Sequence, residues 1–210
     1  MRKMKIHFYG FRYYYSAFVL LLIIAAALSL TVLDVYLDYL LPSLFIIFIL
    51  SSILLGLYEY NRIRYLHTSL VINRKSFYKS SLALGMINAI LLLGLFIGYS
   101  FLAQRFKGIE IAFINNYLFY LTFLSLNYFG YVIGNTYALL FIRKRFINLL
   151  VIVALIALFI FFELTIPIII DFTDQIINSD VPKIIFIDAG LIILTIVLII
   201  INNFIFKVKP

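Results

Sequence analysis

The sequence contains no cysteine, two histidines and few charged side chains, which make up 12% of the chain. Without cysteine there is no disulfide and no thiolate for metal or redox chemistry. His7 and His67 have no nearby carboxylate pair, so they do not form the ligand pattern of a metal site. A phosphate-binding loop, a His-Glu-x-x-His motif and a Gly-x-Ser-x-Gly elbow are also missing. We therefore expect no enzymatic activity, metal or cofactor in this chain.

Apolar residues make up 65% of the 210 residues, and the mean hydropathy of +1.13 lies far above that of soluble domains. They form six long runs, and about 20 helical residues cross a hydrocarbon core of about 30 Å. A lipid-embedded backbone must bond to itself, so such runs form helices. We predict one all-α membrane domain, residues 1–210, with six transmembrane helices. The predicted spans are about 13–33, 39–58, 80–104, 117–142, 146–170 and 184–206.

Lysine and arginine are distributed unevenly between the connections. The N-terminal tail carries four, the second connection five, the fourth three and the C-terminal tail two, whereas the third has two, the fifth one and the first none. One side of the membrane therefore has 14 of the 17 basic residues. The positive-inside rule places that side, and both termini, in the cytoplasm. We expect a multi-pass protein of the cell membrane.

The net charge of +8 does not indicate a nucleic-acid partner, because the basic residues sit at the ends of apolar runs. The first run is too long for the apolar region of a signal peptide, so we expect a retained span. Residues 1–12 combine basic and aromatic side chains. They form either an amphipathic segment on the inner leaflet or a disordered basic tail before a long first helix.

Two Gly-x-x-x-Gly patterns lie within the predicted spans. Gly94 and Gly98 belong to the third span, whereas Gly130 and Gly134 share a helical stripe with Asn127 in the fourth. Small residues four apart let helix backbones approach closely. The pattern fits packing within one chain, and it equally fits a subunit interface or the wall of a pathway.

Glu163 and Asp188 interrupt the last two apolar runs. A carboxylate at the centre of a bilayer costs about 2.5–3.5 kcal/mol, so both are expected near the outer face. They would line an outer vestibule, or lie at the outer interface with access to water, and Asp188 has Lys183 nearby as a partner.

The second cytoplasmic connection, residues 59–79, is too long to be a simple turn. Ile63, Leu66 and Leu70 share one helical face, and basic residues lie on other faces. A short amphipathic helix over 61–70 would suit a groove on a soluble partner. The competing interpretation is a basic interfacial loop that only anchors the topology.

The topology and this connection together resemble an ABC-2 type transporter permease. The resemblance combines six spans and cytoplasmic termini with a glutamate at the inner end of span two, a short amphipathic stretch and a Leu-x-Ile-x-Arg-Lys-like run into span three. In this sequence the residues concerned are Glu59, Leu70, Ile72, Arg74, Lys75 and Ser76.

The resemblance implies a function and a set of partners. Residues 61–70, with Arg62 and Arg64, would form the coupling helix that sits in a cleft of a separate cytoplasmic ATPase, and Glu59 would cap or tether it. A second permease copy, or a related permease, would complete the path, and ATP and magnesium would bind to the ATPase. Small permeases of this kind export toxins such as phenol-soluble modulins, or bacteriocins.

Three functions therefore remain in competition. The first is the membrane subunit of an ATP-driven exporter for amphipathic peptides or other hydrophobic cargo. The second is a secondary transporter or channel, which predicts buried ionisable residues near the midplane. The third is a membrane scaffold or regulatory protein without transport activity.

Overall fold

The computed structural model describes residues 45, 47–59, 74–107, 117–141 and 181–208, and each of them is helical. The helices are named here in chain order. They are α1 (Ile47–Glu59), α2 (Arg74–Lys107), α3 (Tyr117–Phe141) and α4 (Val181–Val208). The predicted all-α class is confirmed for this part of the chain. The N-terminal segment 1–12 and the predicted spans 13–33 and 146–170 lie outside the described residues.

The bounds of α2, α3 and α4 can be compared with the predicted spans 80–104, 117–142 and 184–206. Helix α3 ends one residue before the predicted 142, and α4 extends the predicted 184–206 at both ends. Helix α2 instead begins at Arg74, inside the segment 59–79 that was predicted to be a cytoplasmic connection. Hydropathy marks the part of a helix that lies in lipid, and a helix with charged residues can continue into water beyond it.

Two described helices are long and apolar enough to cross a membrane, over Tyr78–Phe101 and Lys183–Ile205. Helix α1 is a shorter apolar helix. Much of the surface of α4 is apolar and exposed, including Phe186 at 81% and Phe204 at 68%. A water-soluble protein rarely presents so continuous an apolar face. Lipid or another membrane helix provides the environment that such a face requires.

The contacts define the relative directions of the four helices. Phe45 meets Phe119 at one end of the bundle, and Gly56 meets Tyr131 further along, so α1 and α3 are parallel. Thr122 contacts Asp188 and Thr136 contacts Asn202; both pairs are 66 residues apart in sequence, so α3 and α4 are also parallel. Two further contacts join α2 to the other helices in the opposite order. Phe48 meets Phe96, and Glu59 meets Ser81, so α2 is antiparallel to α1.

A cluster of phenylalanines fills the core at the Phe45 end of the bundle. Phe123 stacks on Phe96 with ring centroids 4.9 Å apart and meets Phe45 edge-on at 5.4 Å. Phe48 approaches Phe123 at 5.9 Å in a T-shaped arrangement. Such ring pairs add about 0.5–1.5 kcal/mol each beyond the burial of apolar area. The aromatic cluster consists of Phe45, Phe48, Phe96, Phe119 and Phe123.

The backbones of α1 and α3 come into contact at glycine residues, which have no side chain to keep them apart. A Cβ atom on Gly56 would fall on the carbonyl oxygen of Tyr131, and one on Gly134 would fall on the carbonyl oxygen of Ile53. Gly130 faces Ile49 and Ile53 from the next turn. The Gly130/Gly134 pattern therefore lies at a close helix contact within the chain.

We expect Gly134→Ala to destabilise the protein by about 1–3 kcal/mol, because the new methyl group forces two backbones apart. Gly190→Ala is the matched control, since no described atom lies within 4 Å of the corresponding Cβ position. It should stay within about 1 kcal/mol of wild type. Unfolding in detergent or mixed micelles measures both variants, and equal effects would contradict the close contact between α1 and α3.

Candidate functional site

Glu59, at the end of α1, is buried among polar groups from two other helices. Ser81 Oγ on α2 donates a hydrogen bond to Glu59 Oε2 at 2.9 Å. The Tyr131 hydroxyl on α3 lies 2.8 Å from Ser81 Oγ and donates to the Ser81 carbonyl at 2.9 Å. The Glu59 side chain is 1% exposed. Ser81 therefore links the Glu59 carboxylate on α1 to α2 and α3.

A glycine on α2, Gly85, leaves the space that the Tyr131 ring occupies. A Cβ atom on Gly85 would fall within the ring of Tyr131. Ser81 lies one turn before Gly85, so the ring crosses α2 at the glycine and its hydroxyl reaches the serine. Any larger residue at position 85 would displace the Tyr131 ring and its hydroxyl.

A second polar layer takes one side chain from each of the same three helices. Asn88 Nδ2 on α2 donates to Ser52 Oγ on α1 at 3.2 Å. Ser52 Oγ donates to Asn127 Oδ1 on α3 at 3.0 Å, and Asn127 Nδ2 donates to the Phe123 carbonyl at 2.9 Å. These hydrogen bonds form a chain in which Asn88 donates to Ser52, Ser52 donates to Asn127, and Asn127 donates to the backbone. We name the six side chains of the two layers the polar spine: Glu59, Ser81, Tyr131, Ser52, Asn88 and Asn127.

The polar spine begins at the Glu59 end and stops at the aromatic cluster. Asn127 bonds to the carbonyl of Phe123, whose ring belongs to that cluster. The polar spine therefore meets the aromatic cluster at Asn127.

Glu59 is an ionisable side chain buried between helices of an apolar bundle. An ionisable side chain buried in a membrane helix is a candidate for function by default. We take Glu59 and its two hydroxyl neighbours as the centre of the candidate site.

The interface between α3 and α4 has its own polar contacts. Asn202 Nδ2 donates to Thr136 Oγ1 at 2.8 Å, and Thr136 Oγ1 donates to the Val132 carbonyl at 2.8 Å. Thr122 Oγ1 lies 3.2 Å from Asp188 Oδ2 and 3.0 Å from the Leu118 carbonyl. These hydrogen bonds join α4 to α3 at two positions along the helices.

The structure describes some of the residues that the sequence analysis selected. Glu59 and Asn127 belong to the polar spine, whereas Gly94 and Gly98 are exposed on α2, away from every described neighbour. Asp188 is 3% exposed and packs against α3, although access to water was expected for it. Asp188 is buried because α3 packs over its side chain. The candidates outside the described residues are Arg62, Ile63, Arg64, Leu66, Leu70 and Glu163.

Sequence reasoning did not select Ser52, Ser81, Asn88 or Tyr131. A usable signal was present, because Ser52 and Glu59 are seven residues apart, as are Ser81 and Asn88. That spacing puts each pair on one helical face two turns apart. Polar residues that repeat at seven on neighbouring spans therefore indicate a shared polar interface.

The described helices contain no group of three acidic, histidine or cysteine side chains that could hold a metal. The expectation that the chain needs neither metal nor cofactor stays a prediction. No family model, curated protein or solved structure matches this chain. The resemblance to ABC-2 type permeases therefore depends on the topology and the short run of residues quoted above.

We expect Ser81→Ala to destabilise the bundle by about 1–2 kcal/mol, because Glu59 and Tyr131 lose the hydroxyl that they share. Ser100→Ala is the matched control. Ser100 is buried on the same helix, and its Oγ bonds to the Phe96 carbonyl of α2 itself. Unfolding measurements should find the control close to wild type; an equal loss in both variants would argue against the polar spine.

Proposed function

We propose that this chain is the transmembrane subunit of an ATP-driven exporter of the ABC-2 type, with amphipathic peptides or other hydrophobic molecules as cargo. A separate cytoplasmic ATPase would bind ATP and magnesium. The observation that carries the proposal is the position of Glu59. This residue ends α1, begins the predicted coupling segment 59–79, and bonds through Ser81 into α2 and α3.

The anchoring of Glu59 offers a mechanical route into the bundle. The predicted coupling helix 61–70 follows Glu59 directly, and α2 begins soon after it at Arg74. A movement of this connection would displace the ends of α1 and α2 together. The hydrogen bonds of Ser81 and Tyr131 would transmit this displacement to α3. Rigid-body motion of packed helices is an established way to switch between two states.

The parallel directions of α3 and α4 support the proposed fifth span. Because α3 and α4 are parallel, the chain between Phe141 and Val181 has to return from one end of the bundle to the other. A return path through a bilayer has to be helical, and the predicted span 146–170 lies in this interval. With the distribution of basic residues, the scheme has both termini in the cytoplasm.

The exposed apolar surface suits both the cargo and a second copy of the chain. Gly94 and Gly98 lie on an exposed face of α2 with Leu91 and Phe101. Small residues on a lipid-facing stripe allow another helix to approach closely. We propose this face as the contact with the second permease copy.

A proton- or ion-coupled transporter is the second candidate, because Glu59 and Asp188 are both buried carboxylates. That class needs ionisable groups inside the bundle. It does not need an ATPase, so the two candidates differ in their partner. A scaffold would also lack the ATPase, and it would have no cargo whose movement depends on an ion gradient.

The exporter proposal predicts that a tagged chain recovers a phosphate-loop ATPase from membranes in gentle detergent. Charge reversal at Arg62 and Arg64 should lower this recovery roughly tenfold, which corresponds to about 1.4 kcal/mol of lost binding. Recovery is measured by quantitative mass spectrometry of the eluted complex.

Charge reversal at Arg105 is the control, because this residue is expected on the outer side and is exposed at the far end of α2. It should leave recovery unchanged. Absence of the ATPase from the wild-type preparation would count against the exporter. Cargo movement that then follows an ion gradient would favour the second candidate.

The six-span proposal predicts the sidedness of single cysteines, which the natural chain lacks. Thr68→Cys should react with an impermeant maleimide only after permeabilisation. Asn115→Cys and Ser179→Cys should both react in intact cells, because the chain crosses the membrane twice between them. Labelling of positions 115 and 179 from opposite sides would exclude two crossings between them.

A further inference from the structure

Asp188 lies in the interface between α3 and α4, and Thr122 is its hydrogen-bond partner among the described residues. Its side chain is 3% exposed. Within the described part of the chain Oδ2 contacts Thr122 Oγ1 at 3.2 Å, and Oδ1 has no hydrogen-bond partner. The facing helix, Tyr117–Phe141, contains no acidic or basic residue.

Hydrogen counting distinguishes the two protonation states of this aspartate. Thr122 has one hydroxyl hydrogen, and its oxygen lies within bonding distance of both the Leu118 carbonyl and Asp188 Oδ2. An ionised carboxylate is an acceptor only, so Thr122 would have to serve two acceptors with one hydrogen. A protonated Asp188 donates to Thr122 Oγ1, and Thr122 then donates to Leu118. The neutral acid satisfies both contacts, and the ionised form does not.

The same arrangement occurs further along the same two helices with a permanent donor. Asn202 Nδ2 donates to Thr136 Oγ1, which donates to the Val132 carbonyl one turn earlier. Asp188, Thr122 and Leu118 occupy the equivalent places, since the threonines and their partners are separated by 66 residues in both layers. An aspartate can take the place of the asparagine amide only when it carries a proton.

The basic side chains at this end of the described bundle are exposed to solvent or lipid. On α4 the basic residue nearest in sequence is Lys183, and on α2 it is Arg105 at the corresponding end; both side chains are exposed. Helix α3 contributes Tyr117, which is exposed, and Tyr120, which is half-buried. No ion pair between Asp188 and a described basic residue compensates a buried negative charge here.

We propose that Asp188 is a proton-binding site that joins α3 to α4. With the proton on Oδ2 the acid donates to Thr122 and the two helices stay in contact. When the proton leaves to water, the remaining carboxylate needs more donors than the interface supplies. Water then has to enter, and α3 and α4 separate at this level while the Asn202 layer stays closed. The inference does not depend on the ATPase partner.

Infrared difference spectroscopy on the full chain in lipid nanodiscs tests the protonation state. We expect the carbonyl band of a protonated carboxylic acid at neutral pH, and its loss in Asp188→Asn. If that variant instead removes a carboxylate band, Asp188 is ionised and the proposal is overturned.

Spin labels test the movement, because a chain without natural cysteine accepts labelled pairs cleanly. One pair, at Leu121 and Ile192, reports on the Asp188 layer; a second, at Leu140 and Phe204, reports on the Asn202 layer. All four positions are exposed. We expect the first distance to widen as pH rises and the second to stay constant. A first distance that is independent of pH would overturn the proposal.

Two variants separate the proton from simple packing. Asp188→Asn reproduces the donor of the neutral acid, so it should fold and keep the first distance short at every pH. Thr122→Val removes the acceptor, so the first distance should widen at lower pH than in wild type. Failure of Asp188→Asn to fold, or widening of its first distance with pH as in wild type, would count against the proposal.

Discussion

The described structure depends on the close approach of α1 and α3. Gly56 and Gly134 let each helix touch the other's backbone, where any side chain would collide with a carbonyl oxygen. Because lipid exerts no hydrophobic force between helices, close packing and hydrogen bonds have to hold them together. Their contact sets the register that brings Ser52 to Asn127 and the rings of Phe45 and Phe123 together.

That register also determines where polar groups can lie. The polar spine places hydroxyl, amide and carboxylate groups from three helices within bonding distance, so each helix interface is polar over only part of its length. The aromatic cluster, and a second apolar cluster of Leu55, Leu84 and Val132 around Tyr131, occupy other parts of these interfaces.

The sequence was sufficient for the helical class of the described residues, because long apolar runs have one solution in lipid. It also marked Gly130 and Gly134 as packing residues. It did not place Asp188 in the α3–α4 interface, because hydropathy measures depth along one helix and not which neighbour covers a given face. Helix α2 starts at Arg74, before the predicted span 80–104, since charged residues end the lipid-facing part but not the helix. Ser81 and Tyr131 were missed because hydroxyl groups barely change a hydropathy profile.

Helix α2 is longer than the membrane that it would cross. Its 34 residues span about 51 Å, whereas a hydrocarbon core is about 30 Å thick. The excess projects beyond the apolar section Tyr78–Phe101 at both ends. Since α2 alone runs against the other three described helices, a small change in its tilt moves its two protruding ends in opposite directions. Helix α2 therefore has the geometry of a lever whose pivot is the packed middle of the bundle.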